Sequence, residues 1–227
     1  KWEGLMRWAM DECERLGLTF GTHNCPGWSS SAYPTVEPQY SMLKLVYSEM
    51  VLPTGKLLKK ISLKKPEVDS TWNYYEDVAV IAIPNDSIIK KEDVVFLSDC
   101  LNKETDELTL PKGLAEGMAV LRIGQTTIGK TNASQSPESG RGLECDKLSR
   151  EAVLKFWQGY PQMVIDIAGH HAGKTFTHFE IDSYEAGGQT WTGKLPEEFK
   201  KRRGYDIMPY MPYMIGRCKT IGDKQET

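Results

Sequence analysis

The sequence predicts an α/β protein, a partial (β/α)8 TIM-type barrel interrupted by an all-β insertion, and three observations carry that expectation. First, Leu5, Met6, Trp8, Ala9, Cys13 and Leu16 recur at helical spacing, Gly17 sits where a left-handed glycine ends a helix, and Leu18–Gly21 is a short apolar run: a helix–strand unit. Second, polar clusters follow the strand-like runs, His23-Asn24 after the first and Asp182-Ser183-Tyr184-Glu185 after Thr175–Ile181, and barrel enzymes keep their chemistry at strand C-termini. Third, from Val51 to about residue 130 the chain changes to short alternating runs broken by turns, with no long helical pattern. The expected organisation is a catalytic barrel portion over 1–50 and 131–227 and a β-rich insertion over 51–130. A whole barrel needs about 250 residues, so this would be one piece of a larger catalytic domain.

Taken in order, Trp2–Leu16 is a helix and Leu18–Gly21 a strand. Val36–Met50 is expected to be a second helix beginning at Glu37-Pro38, with Tyr40, Leu43, Val46 and Tyr47 on one face. Lys56–Lys65 reads as the solvated face of a strand, and Val78–Ile83 as a buried strand ended by Pro84. Leu108–Leu110 and Ala119–Gly124, beside the Pro-Lys-Gly turn at 111–113, read as a hairpin-like pair. A helix from Arg150 to Asp166 is capped by Ser149 and turns Ala152, Val153, Phe156, Trp157 and Tyr160 to the core. Phe176, Phe179 and Ile181 mark the next strand, and Pro196–Arg203 a last helix. His170-His171 falls between helix and strand; adjacent histidines are expected to point apart, which argues against a transition-metal pair there.

The composition narrows the function classes. With 40% hydrophobic and 26% charged residues the chain is globular, and 227 residues suffice for a sizeable core. A net charge of −3 without a clustered basic face argues against a nucleic-acid partner. No run approaches the ~18 apolar residues of a membrane span, and no signal peptide is visible in this chain. Five widely spaced cysteines without a CxxC pair argue against a zinc ribbon or a thioredoxin-like motif.

Several blocks occur in a fixed order: His23-Asn24-Cys25-Pro26-Gly27-Trp28, Leu121–Thr126 with Gly129, Gly142–Lys147, Asp182–Gly187, Trp191-Thr192 and Phe199–Asp206. In these the chain resembles the bacterial α-L-rhamnosidases of glycoside hydrolase family 106, from Trp2 to about Gly216. The resemblance implies a (β/α)8 catalytic domain with β-rich additions, an inverting mechanism, a calcium ion near the sugar, and a large periplasmic or secreted enzyme that dismantles plant pectic polysaccharides. Its partners would be a carbohydrate substrate and the remainder of the catalytic chain. The chain departs from the family pattern at Ser29–Pro34, where a Gly-Gly-Pro-Trp-like stretch is expected.

Inversion at a glycosidic bond requires one carboxylic acid to protonate the leaving oxygen and one carboxylate to activate water, about 6.5–9.5 Å apart. Glu185 is the expected catalytic member, acting as general acid with its pKa raised by burial against aromatics such as Tyr184 and Trp191; the reverse role, as base, stays open. Asp182 lies too close on the same strand to be the partner carboxylate. It is expected, with Glu185, to supply oxygens to calcium, an idea that comes mostly from the resemblance. His23, Asn24, Trp28, Glu144, Asp146 and Trp191 are the expected substrate-binding residues, through hydrogen bonds to sugar hydroxyls or stacking on a sugar face. Glu180 shares a strand face with Asp182 and is expected to pair with a base such as Arg122 or Lys147. The competing functions are a non-catalytic carbohydrate-binding module and a different glycosidase on the same fold.

Overall fold

The computed structural model describes residues 1–24, 30, 35–131, 141–181 and 186–221. Helix α1 (Trp2–Leu16) and strand β1 (Phe20–His23) are followed by β2 (Leu43–Val51), β3 (Lys60–Ser62), β4 (Glu76–Ile83), β5 (Ile88–Ile89), β6 (Val95–Phe96), β7 (Leu101–Asn102), β8 (Glu107–Thr109) and β9 (Ala119–Thr127). Helices α2 (Arg150–Gly159) and α3 (Pro161–Ala168), strand β10 (Phe176–Glu180), helices α4 (Leu195–Arg203) and α5 (Met211–Met214) and strand β11 (Thr220–Ile221) complete the order. These elements fall into two compact units, one of residues 1–43 and 127–192, the other of 44–126 and 193–227.

The first unit is built on a parallel pair, β1 beside β10, with Phe20 opposite Phe176 and His23 opposite Glu180. Met6 and Met10 of α1 pack with Val164, Ile167, Ala168 and Phe176, flanked by Phe20, Tyr160 and Phe179. The buried stripe of α1 is therefore Met6 and Met10, whereas Leu5, Trp8 and Leu16 are exposed. Gly17 closes the helix at φ 70°, its N–H reaching the Cys13 and Glu14 carbonyls. Ser149 caps α2 by accepting from the Ala152 N–H at 3.3 Å. The expected single helix 150–166 is broken between Tyr160 and Pro161. Proline has no N–H for the helical ladder and forces the preceding residue out of the helical region, and Tyr160 adopts φ −120°.

The second unit is all sheet at its centre. Strands run β2-β9-β4-β6 in one sheet and β3-β8-β7 in another, and β5 pairs with β11. The pairs β4–β9, β4–β6, β3–β8 and β7–β8 are antiparallel. Their inner faces meet in a core of Leu52, Ile61, Leu63, Val80, Ala82, Leu97, Leu108 and Val120. Every residue of β9 is buried, including Arg122. Its guanidinium bonds Asp77 through Nε at 2.7 Å and Nη2 at 2.9 Å, and Asp106 at 2.5 Å, and it donates to the Leu63 carbonyl at 2.9 Å. Gly124 in the same strand leaves no room for a Cβ, which would lie 2.6 Å from the Glu76 carbonyl oxygen and 2.3 Å from the Tyr75 ring. Gly124→Ala should therefore lower stability by about 1–3 kcal/mol through overpacking, read as an earlier urea midpoint with unchanged slope.

This architecture corrects the expected fold class. Most of the described sheet is antiparallel, and among the described residues no closed barrel and no succession of strand–helix–strand crossovers is found, so the chain is not a partial (β/α)8 barrel. Two local misreadings underlie the difference. Residues 36–50 are not a helix: Pro38–Tyr40 is a single 3-10 turn, and Leu43–Val51 is a strand whose Leu43, Leu45, Tyr47 and Val51 also satisfy a two-residue period. Leu108–Leu110 and Ala119–Gly124 do not form a hairpin. β8 lies between β3 and β7, its turn partner being β7 at 101–102, and β9 lies between β2 and β4, which are distant from it in sequence.

Candidate functional site

The site grows from the C-terminal edge of the β1–β10 pair. Parallel register ends both strands at one edge, where His23 faces Glu180 and the Asn24 N–H donates to the Glu180 carbonyl at 3.0 Å. The imidazole Nε2 of His23 lies 3.3 Å from the Glu180 carboxylate. Glu180 thus pairs with His23 and not with Arg122 or Lys147, because cross-strand register makes neighbours of them, while Arg122 is held by Asp77 and Asp106 and Lys147 by Glu144.

From that edge the chain leaves β1 and β10 in two segments, and both return to the same three residues, Glu144–Asp146. Asn24, 4% exposed, donates its amide to the Ser30 hydroxyl at 2.9 Å. The Ser30 N–H donates to Glu144 Oε1 at 2.9 Å, and the Ser30 carbonyl accepts from the Cys145 N–H at 3.1 Å. Beyond β10, Gly187 and Gly188 turn the chain at φ 31° and 94°, a conformation that favours glycine. Gln189 then donates to Asp146 Oδ1 at 2.6 Å and to the Trp191 carbonyl at 3.1 Å. Trp191, 2% exposed, bridges to Leu43, and Ser41 bridges to Cys145.

Glu144 is completely buried and ion-paired with Lys147. Asp146 is nearly so; besides Gln189 it accepts from the Leu148 N–H at 2.9 Å. A buried carboxylate is tolerated only when its oxygens are engaged, and here donors from three separate parts of the first unit engage them. Both acids therefore act as fasteners that fix where the strand-end segments return. Between them the Cys145 thiol is pushed up to about 12, chiefly by burial, with the neighbouring carboxylates adding to the effect, so it is not a nucleophile at neutral pH.

The expected residues sort accordingly. Asn24, Glu144, Asp146 and Trp191 are buried and brought together by direct bonds or through Ser30 and Gln189; His23 stands at the strand edge with Glu180. Trp28, Asp182 and Glu185 lie outside the described residues, and with them both expected calcium ligands and the expected catalytic acid. Ser30 and Gln189 were not anticipated. Gln189 falls between the Asp182–Gly187 and Trp191-Thr192 blocks, outside both; Ser30 lies in the stretch where the family pattern is broken.

Comparison with known proteins bears on this arrangement at three levels. The family profile described as alpha-L-rhamnosidase, glycoside hydrolase family 106, matches residues 1–71 and 67–226. A Formosa agariphila protein provisionally named a beta-glucuronidase is 33% identical over 99% of this chain, which spans 22% of that protein. A rhamnosidase structure from Novosphingobium sp. PP1Y superposes with a TM-score of 0.76 at 20% identity over 94% of this chain and 36% of that one, a likeness of fold. The profile spans nearly the whole sequence and both strand-end segments, and the chain belongs to the alpha-L-rhamnosidase family, glycoside hydrolase family 106.

Proposed function

We propose that the chain is part of a larger glycoside hydrolase that removes terminal α-L-rhamnosyl groups from plant pectic polysaccharides by an inverting acid/base mechanism. The observation that carries this reading is the convergence of the two strand-end segments on Glu144–Asp146. It fixes both ends of the stretch that contains Glu185 and both ends of the stretch that contains Trp28. Paired strand ends whose following segments are anchored beyond them are a general setting for displaying a reactive group to a ligand.

In this reading Glu185 is the general acid, and the carboxylate that activates water lies elsewhere in the longer protein. His23, Asn24, Trp28 and Trp191 shape the sugar pocket, with Glu144 and Asp146 holding it in place. Calcium, assigned to Asp182 and Glu185 from the family resemblance, would position sugar hydroxyls. An exported location belongs to the same proposal; no described helix is long and apolar enough to cross a membrane.

The test is hydrolysis of an aryl α-L-rhamnoside by the full-length protein, with the anomer of the first-formed rhamnose followed by proton NMR. Inversion predicts β-L-rhamnose ahead of mutarotation; first release of the α-anomer would refute the mechanism. Dialysis against EGTA should lower the rate, with recovery on adding calcium; an unaffected rate would remove the ion. The relative's provisional name supports a second reading, a β-glucuronidase, which a nitrophenyl β-D-glucuronide separates from the first.

A further inference from the structure

At the opposite, N-terminal end of β10, a second cluster of polar side chains is unrelated to the strand-end site. Asp11 and Glu14 lie three residues apart on one face of α1. Facing them is the 3-10 turn Gly169–His171 that closes α3. His171 is buried with its side chain 3% exposed, its Nε2 2.9 Å from Asp11 Oδ1 and its Nδ1 3.5 Å from Glu14 Oε2. His170 lies against it, ring centroids 3.9 Å apart, with Nε2 3.8 Å from the same Glu14 oxygen. The expectation that these histidines diverge is therefore corrected.

Two features of this cluster call for a cation. Both nitrogens of one buried imidazole face carboxylate oxygens, yet a neutral ring donates from one nitrogen only. His171 Nδ1 is enclosed and makes no hydrogen bond. Such a nitrogen, aimed at a carboxylate 3.5 Å away, is a poor arrangement for a neutral ring and a natural one for a metal ligand. Ligand atoms of Asp11, His170 and His171 already lie within 4.8 Å of one another, the one such group among the described residues. Tetrahedral coordination at about 2.0–2.2 Å needs its ligands somewhat closer. Asp11, Glu14 and His170 are exposed, so the side chains of the latter two can turn inward, and all three leave the site open to solvent.

We propose that His171 Nδ1, His170 and Glu14 bind one divalent transition-metal ion of the zinc type, with Asp11 orienting the His171 ring through its Nε2. Mixed imidazole and carboxylate donors suit Zn2+, Ni2+ or Cu2+ better than the oxygen-only coordination calcium prefers. Such an ion joins α1 to the turn that leads into β10, so its role is to stiffen the base of the pair whose other end carries the candidate site.

The experiment is calorimetric titration of ZnCl2 into EDTA-treated, extensively dialysed full-length protein and its His170→Ala, Asp11→Asn and His178→Ala variants. His170 and Asp11 are exposed, so their replacement should leave the fold intact, which circular dichroism checks. Expected are one saturable equivalent in the unsubstituted protein, at least tenfold weaker binding in His170→Ala and Asp11→Asn, and no change in His178→Ala, whose histidine lies outside the cluster. Zinc should also raise the melting temperature of the unsubstituted protein and not that of His170→Ala. Absence of a saturable equivalent, or equal affinity in His170→Ala, would overturn the proposal.

Discussion

Glu185→Gln in the full-length protein should reduce hydrolysis of an alkyl α-L-rhamnoside by about 10²–10⁴-fold, the usual contribution of a positioned general acid. Glutamine keeps the side chain's shape and hydrogen-bonding reach but cannot give up a proton to the departing oxygen. The size of the loss should depend on the leaving group. An alkoxide leaves slowly unless protonated, whereas nitrophenolate departs without that help, so the variant should retain much more of its activity on the nitrophenyl rhamnoside. An equal loss on both substrates would move Glu185 to the role of the base that activates water. Near-normal rates on both would remove it from the reaction. The far-UV spectrum and melting temperature should match those of the unsubstituted protein.

The largest stability effect is expected at Arg122. Its guanidinium is fully buried and holds Asp77 and Asp106, with the Tyr75 hydroxyl donating to the same Asp77 oxygen at 2.7 Å. Arg122→Ala removes the cation and leaves Asp77 a nearly buried, uncompensated carboxylate, a change that costs about 3–5 kcal/mol. Replacing both members, Arg122→Met with Asp77→Leu, should recover much of that, since what is lost is chiefly the pairing of a buried charge. Urea denaturation of the three proteins checks both statements. The pH dependence follows from Asp77. Burial alone would raise its carboxyl, but hydrogen bonds from Arg122 and Tyr75, with the guanidinium charge, outweigh burial and hold it below its ordinary 3.8. A carboxyl lowered on folding stabilises fully above its unfolded value, and that contribution fades as pH falls through the folded value. The unsubstituted protein should therefore lose stability below about pH 4 more steeply than the double variant.

Local signals were legible where chain chemistry alone decides the outcome. Gly17 ends α1, Ser149 caps α2, and Phe176 begins β10. What escaped depended on distant partners. Leu43–Val51 fits a helical face and a two-residue alternation equally well, and its place in a sheet beside β9 decides for the strand. A helix–strand unit near each end suggested strand–helix alternation throughout, but whether neighbouring strands run parallel is settled by pairings such as Glu76 with Gln125, which no local pattern records. The His170-His171 reading failed for a geometric reason. Strict alternation of side chains belongs to strands, whereas in a 3-10 turn consecutive residues are roughly 120° apart and their rotamers can bring the rings together. In the candidate site the residue types Asn24, Glu144, Asp146 and Trp191 were legible from the family blocks. Their mutual arrangement was not, since Ser30 and Gln189 supply the links.

The most direct measurement is a panel of nitrophenyl glycosides offered to the full-length protein, with α-L-rhamnoside and β-D-glucuronide in the same plate. Turnover of the α-L-rhamnoside alone is the expected result. Turnover of the β-D-glucuronide with none of the rhamnoside would contradict the proposed specificity, and turnover of neither would favour a carbohydrate-binding role.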